Sequence, residues 1–375
     1  MDNPAQPETS RVAGKWNWLR SKLFEPTDIA SIVAFRIMFG CIMVWEVYRF
    51  FNNEWIRKYY ISRDFYFKYY GFEWVKPWQE YGWVQRLGES YEWLQPWIEQ
   101  SMYIHFFIVG VLAIFVCLGL FYRVSAVLLF LFFTFWFLLD QTRYLNHLYM
   151  SALVAFVMAI TPAHRARSLD ARWNPKIRAD TIPAWHLWSL RLLLAIVYFY
   201  AAIAKMNGDW LRLEPIRDWL SNRWDYPLIG WFLDSEAGVW FCGHGGLLFD
   251  LLVVPAFCFK KTRPWAFAAC VFFHVFNKML FNIGIFPTMM LAATLLFFCG
   301  GLASAGVVPF QTLGKGAGLG RDPASGPQCT KLGHRRICPV FHCPAFDSFP
   351  SPPVSWVCPL DGRRAPFFLA HEVAL

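Results

Sequence analysis

Long apolar runs are the feature that most restricts how this chain can fold. A helix needs about 20 mostly apolar residues to cross the hydrocarbon core of a bilayer. Eight runs approach or reach that length: residues 29–50, 102–121, 124–139, 148–160, 186–204, 239–259, 264–280 and 283–300. They predict an all-α, polytopic membrane bundle of about eight transmembrane helices, with further helices lying at the interface.

Composition agrees with a membrane location and argues against nucleic-acid binding. Of the 375 residues, 57% are hydrophobic and only 16% are charged. The chain has 20 Trp, a residue favoured where membrane meets water. Its net charge of +9 comes from short basic loops rather than from a stripe on a recognition fold. We therefore expect membrane lipid, and no nucleic acid, as a partner.

The basic residues also predict an orientation. They cluster before the first run, between the fourth and fifth runs, and at 260–263. With eight spans all three clusters fall on one side, which the positive-inside rule identifies as cytoplasmic. The N-terminus is then cytoplasmic, and segments 51–101 and 206–238 lie on the outer side. The second of these is rich in Trp and predicts short interfacial helices.

Three regions follow from these patterns. Residues 1–27 are predicted to form a cytoplasmic segment with an interfacial amphipathic helix. Residues 28–301 form the predicted transmembrane domain. Residues 302–375 are rich in Gly, Pro and Ser, are of low complexity, and predict a disordered tail. The Cys and His of this tail match no zinc-binding spacing, so no metal is expected.

Polar residues in the spans are costly in lipid and are candidates for function. On this topology they gather in the outer half of the bundle: Glu46, Asp140, His147, Lys205, His244, His274 and Asn277. Side chains from several spans would thus meet at one level. We take this level as the candidate site.

Lys205 is the most informative of these residues. It ends a long apolar run, and the next carboxylate along the chain is Asp209. A poorly solvated ammonium releases its proton readily, and a neutral amine is a general base. The alternative is that Lys205 extends to the outer interface as an anchor, as lysines at helix ends commonly do. The pattern alone favours the anchor.

The histidines leave two interpretations open as well. His147 could donate a proton to a developing anion, or it could be an interfacial side chain satisfied by Asn146 or Asp140. His274 and Asn277 are three residues apart and share a helix face. That pair could hold a carbonyl group or tie two spans together, and the pattern alone favours the tie.

Short motifs also follow one another in a distinctive order. They include Pro26-Thr27-Asp28, Ala34-Phe35-Arg36, Tyr122-Arg123-Val124-Ser125, Asn146-His147, Ile196-Val197-Tyr198-Phe199, Lys205, Asp209-Trp210, His244-Gly245-Gly246 with Asp250, Phe273-His274, Asn277 and Ile283-Gly284. In this order and at similar spacing, they resemble the membrane domain of the vitamin K-dependent γ-glutamyl carboxylases. The resemblance covers residues 24 to 300, the whole membrane part.

The resemblance implies an activity and roles for five residues. In that family a membrane-embedded lysine deprotonates vitamin K hydroquinone, and the product formed with O2 removes a γ-proton from a glutamate, to which CO2 adds. By resemblance, Lys205 would be this base and His147 the neighbouring histidine that stabilises charge. We expect Tyr198, His274 and Asn277 to help bind the quinone cofactor. O2 and CO2 would be co-substrates, and no metal is implied.

The resemblance stops near Gly301. Carboxylases of the family continue into a large non-cytosolic domain that helps to bind a protein substrate, and residues 302–375 resemble nothing in it. We therefore expect the membrane domain alone, with a Glu-containing protein as candidate acceptor. The leading hypothesis is an enzyme. The second is a relative that binds quinone or lipid without turnover, and the third is a transporter, for which no matching sequence halves are found.

Overall fold

The fold was obtained as a computed structural model that describes residues 8–221, 223, 226–281 and 283–298. Of the described residues, 74% are helical. Among the described residues there are two short strands, β1 (Pro26–Asp28) and β2 (Thr181–Pro183), which pair antiparallel. The tail predicted at 302–375 lies outside the described residues.

Fifteen α-helices account for most of the described chain. They are α1 (Glu8–Leu23), α2 (Ala30–Asn52), α3 (Gly82–Ser90), α4 (Gln95–Glu99), α5 (Ser101–Leu118), α6 (Tyr122–Phe137), α7 (Asn146–Ile160), α8 (Leu169–Trp173), α9 (Ala184–Ala204), α10 (Gly208–Leu211), α11 (Glu214–Leu220), α12 (Gly230–Leu233), α13 (Glu236–Cys258), α14 (Arg263–Leu280) and α15 (Phe286–Thr294). Each of the eight apolar runs corresponds to a helix.

Four of these helices, α2, α5, α9 and α13, are long and apolar enough to cross a membrane. The helices α6 and α7, and the stretch Phe286–Phe297, are apolar but shorter. The 18-residue α14 is outside both groups, since its polar residues lower its hydropathy. The prediction of a helical membrane protein is therefore confirmed, and length and composition support four spans of the predicted eight.

Polar contacts gather the connecting segments at two ends of the bundle. At one end β1, which precedes α2, pairs with β2, which precedes α9. At that end too, the Asp170 carboxylate accepts the backbone N–H groups of Phe121 and Tyr122, both at 2.8 Å. At the other end Arg63 donates to Asp140 at 3.0 Å, and the Tyr226 hydroxyl to the Met279 carbonyl at 2.8 Å.

Arg36, from the motif Ala34-Phe35-Arg36, holds two segments of the bundle together. Its side chain is fully buried in α2. The guanidinium donates to the carbonyls of Ala163 at 2.8 Å and Arg167 at 2.7 Å, just after α7 ends. Arg36 thus supplies donors near the end of α7, which ties α2 to the segment that leads to β2.

Helices α2 and α5 pack closely together at Gly40. A Cβ atom at Gly40 would lie 2.6 Å from the Cβ of Cys117 and 2.8 Å from its backbone Cα. Such distances leave no room for a side chain. Small residues allow membrane helices to approach closely and gain van der Waals contact. Gly40 is therefore a packing residue.

We predict that Gly40→Leu lowers stability by about 1–3 kcal/mol, because α2 and α5 must separate to admit the side chain. The measurement is the thermal unfolding midpoint in detergent. The matched control is Gly14→Leu in α1, where an added Cβ meets no atom within 4 Å. If both variants unfold at the wild-type temperature, the contact between α2 and α5 does not have the closeness described.

Candidate functional site

Lys205 lies at the end of α9 and is paired with a carboxylate. Its Nζ is 2.8 Å from Oδ2 of Asp250, which is carried by α13. The two side chains are only 10% and 4% exposed. The anchor interpretation required Lys205 to extend outward, whereas the side chain turns inward to Asp250. Asp209 is the next carboxylate along the chain, and the fold brings a different one, Asp250, to Nζ from another helix.

The turn after α9 holds this lysine against an aromatic ring. The Asn207 side chain accepts the backbone N–H of Trp210 at 2.9 Å and so starts α10. The Trp210 indole then lies with its centroid 5.2 Å from the Lys205 Nζ, within the range of a cation–π contact. The indole Nε1 donates to the carbonyl of Gly243 at 3.1 Å. Lys205 is therefore fixed on two sides.

Gly243 makes this arrangement sterically possible. A Cβ at this position would collide with the side chain of Leu213, which precedes α11. The absence of a side chain at Gly243 lets the segment that carries Leu213 pack closely against α13. The same stretch of α13 contributes Gly245 and Gly246 to a cavity.

The cavity has a volume of about 200 Å³ and lies between the turn after α9 and helices α11, α13 and α14. Lys205 and Asn277 are on its wall. Half of its lining residues are aromatic, among them Trp210, Phe241, Phe249, Phe272, Phe273 and Phe276. An apolar cavity of roughly 150 Å³ can hold a benzene ring. This cavity is suited to a flat aromatic group placed beside one amine and one amide.

A second polar cluster lies deeper between α9 and α14. The Tyr198 hydroxyl is 2.8 Å from Nε2 of His274 and 3.4 Å from Sγ of Cys270. All three side chains are buried. The Nδ1 atom of His274 is buried and has no hydrogen-bond partner within the described part of the chain. The hydrogen bond between Tyr198 and His274 ties α9 to α14.

His147 occupies a separate position at the start of α7. Its Nε2 would be 3.1 Å from a Cβ built on Gly284, and Nη1 of Arg49 would be 3.2 Å from the same point. Arg49 in turn pairs with the buried Glu46 at 2.7 Å. Gly284 has a φ of +60°, which favours glycine, so the backbone can pass between His147 and Arg49.

The structure thus brings some predicted site residues together and leaves others apart. Lys205 and Asn277 share the cavity, and Tyr198 and His274 pair behind it. Among the described residues, no hydrogen bond or ring contact links His147 to Lys205. Asp140, one proposed partner of His147, is instead engaged by Arg63 and by backbone N–H groups.

Asp250 is the site residue that sequence reasoning missed. It appeared among the motifs, but only as a match and without a role. The signal was present, since a carboxylate within the apolar stretch Leu247–Val254 is costly unless it has a partner. Its partner could not be identified, because Lys205 is 45 residues away in the chain.

Comparison with known families agrees with these features. The chain matches the HTTM domain over residues 24–86 and 89–300, well over half its length. It belongs to the HTTM domain family. This domain is found in vitamin K-dependent carboxylase. The match begins and ends where the motif resemblance does, so the HTTM domain contains the whole candidate site. No solved structure matches the chain.

We predict that Tyr198→Phe destabilises the HTTM domain by about 1–3 kcal/mol, because Nε2 of His274 then loses its partner in a buried site. The thermal unfolding midpoint in detergent measures this effect. Tyr48→Phe is the control, since Tyr48 is exposed and its hydrogen bond to Asn52 is long, at 3.4 Å. An equal, negligible change in both variants would contradict a tie through Tyr198.

Proposed function

We propose that this chain is a membrane enzyme of the vitamin K-dependent γ-carboxylase type. Its cofactor would be vitamin K hydroquinone, with O2 and CO2 as co-substrates and a glutamate side chain as acceptor. The observation that carries the proposal is a buried lysine on the wall of an aromatic cavity, inside an HTTM domain. Bound hydroquinone would supply, with O2, the strong base that removes the γ-proton.

The cavity residues suit such a cofactor. Aromatic side chains can stack on a flat ring, and an apolar wall favours a lipid-soluble molecule over a water-soluble one. Nζ of Lys205 would accept a proton from a ring hydroxyl, and the Asn277 amide is placed to hold an oxygen atom. Tyr198 and His274 would support this wall from behind through their own hydrogen bond.

His147 lies away from the cavity, at the start of α7. It is not among the residues that line the cavity, whereas Lys205 and Asn277 are. The segment at Gly284, which touches His147, continues into α15, where Phe286 lies 6.1 Å from the His274 ring. We propose that His147 stabilises developing charge from this side of the site.

We further propose that eight helices cross the bilayer, with the N-terminus in the cytoplasm. The pairing of β1 with β2 supports this arrangement, since it places two of the three basic segments at one end of the bundle. Lys205 follows the opposite end of α9, about 30 Å away for a helix of 21 residues. The cavity would then face the outer side.

A second candidate function is binding of quinone or lipid without turnover. The ion pair between Lys205 and Asp250 favours it, since Nζ is already engaged by a carboxylate at 2.8 Å rather than free to act on a ligand. The two functions differ in one measurement. Only the enzyme incorporates labelled bicarbonate into a Glu-containing peptide, whereas both bind the naphthoquinone.

We predict that membranes containing the protein form vitamin K epoxide from reduced vitamin K, O2 and bicarbonate, and that Lys205→Ala lowers this rate by roughly 100-fold or more, because the general base is lost. Lys278→Ala, which changes an exposed lysine of α14, should keep the wild-type rate. Equal epoxide formation by the wild type and Lys205→Ala would show that the proposed base is wrong.

We also predict that Gly245→Leu weakens naphthoquinone binding roughly tenfold, since an added Cβ there meets only Phe241, at 3.9 Å, and the larger side chain would grow into the cavity. Quenching of tryptophan fluorescence by the quinone measures the affinity. Gly14→Leu in α1 is the control. Unchanged affinity in Gly245→Leu would place the quinone elsewhere.

A further inference from the structure

Three cations meet at one aromatic ring in the loop that follows α2. The charged groups of Lys58, Arg63 and Arg143 lie 5.4, 5.4 and 3.8 Å from the centroid of the Tyr59 ring. Lys58 and Tyr59 belong to a π-helical turn, Arg57–Ile61, a conformation that is rare and is often found at functional sites. We call the three cations and this ring the Tyr59 cluster. Like charges gathered in this way repel one another unless an anion joins them.

The Tyr59 cluster holds more positive charge than its surroundings neutralise. Its one ion pair within the described chain joins Arg63 to Asp140 at 3.0 Å. The Asp140 carboxylate also accepts two backbone N–H groups, at 3.3 and 3.0 Å, so its oxygens are already engaged. Lys58 and Arg143 form no ion pair with any described residue. Two positive charges are therefore open to an anion.

The contact with Tyr59 leaves the hydrogen-bond donors of Arg143 free. At 3.8 Å from the centroid, the guanidinium lies against the face of the ring. Its N–H donors lie in its own plane, so a ring against that plane occupies none of them. Among the described residues this guanidinium makes no hydrogen bond. A free planar guanidinium binds a carboxylate through two parallel hydrogen bonds. Arg143 is therefore fixed in place with its carboxylate-binding edge unoccupied.

The Tyr59 cluster lies at the end of the bundle that carries the candidate site. Helices α2 and α9 both begin at the paired strands β1 and β2, so the loop after α2 and Lys205 after α9 lie at the same, opposite end. Arg143 also precedes α7, which carries His147. On the proposed topology this end faces outward. Basic residues favour the cytoplasmic side, so membrane orientation does not account for this cluster.

We propose that the Tyr59 cluster binds an acidic peptide segment of the acceptor protein, an inference that rests on the proposed function for the identity of this partner. A segment with several glutamates supplies the carboxylates that Lys58 and Arg143 lack. A lipid headgroup is a poorer fit, because anionic lipids concentrate in the cytoplasmic leaflet and Arg143 is half-buried. The cluster would hold the acceptor by charge while another glutamate of the same segment enters the site.

The first test measures binding without turnover. The protein, in bilayer discs of zwitterionic lipid, is titrated into a fluorescent peptide rich in Glu, and into the same peptide with each Glu replaced by Gln. Fluorescence anisotropy gives the affinity. We expect the Glu peptide to bind more tightly, and Arg143→Gln to weaken its binding about tenfold, since a charge-assisted pair of hydrogen bonds is lost. Lys58→Gln should weaken it about threefold, and added salt should weaken the wild type most.

The matched control is Arg86→Gln, which removes an exposed arginine of α3, on the same side of the bundle but outside the cluster. Arg143→Lys keeps the charge without the planar fork, so its affinity should lie between those of the wild type and Arg143→Gln. Equal affinities for the Glu and Gln peptides would overturn the inference. So would an equal loss in Arg86→Gln and Arg143→Gln, or cluster variants that lose anionic lipid but keep the peptide.

The second test uses turnover and follows labelled bicarbonate into the Glu peptide. We expect Arg143→Gln to raise KM for the peptide about tenfold, with kcat and KM for vitamin K hydroquinone changed by less than about twofold, because only peptide binding is lost. A lower kcat with an unchanged peptide KM would contradict a binding role. If the wild type incorporates no bicarbonate, the proposed function fails, and the binding test still decides whether the Tyr59 cluster holds an acidic peptide.

Discussion

A hydrocarbon environment offers no hydrogen bonds, so a polar group within this bundle is costly unless it finds a partner in the protein. The helices satisfy most backbone groups internally, and the remaining groups determine how the helices connect. Arg36 donates to carbonyls beyond the end of α7, and Asp170 accepts N–H groups at the start of α6. Each of these contacts needs only one polar side chain, yet it joins segments that are far apart in the chain.

The same requirement shapes the candidate site. Lys205 forms a hydrogen bond with Asp250, and Tyr198 forms one with His274. Each pair joins α9 to a different neighbouring helix. The side chains of α9 therefore hold α13 and α14 on either side of the cavity. A site built in this way is rigid because its polar groups are also its structural ties. Replacing one partner leaves the other buried without a hydrogen bond, which is the costlier state.

The packing of helix α13 also determines what surrounds the Lys205 amine. Gly243 lets Trp210 and Leu213 approach α13, and the Trp210 indole then lies beside the Lys205 amine. A bulky residue at Gly243 would displace the ring and the turn that carries Lys205. The glycines of α13 thus contribute to the site through the space that they leave rather than through any group of their own.

The sequence alone determined the helices, the membrane location and the family, since these depend on long apolar runs and on motifs in a fixed order. It also singled out Lys205, Asn277, Tyr198 and His274 as candidate site residues, because polar residues in apolar helices are costly and therefore stand out. Only the tertiary structure decided that Asp250 is the partner of Lys205 and that Asn277 shares its cavity, while His147 lies apart. The physical reason is that a hydrogen bond depends on a separation of about 3 Å, which helix packing sets and spacing along the chain does not.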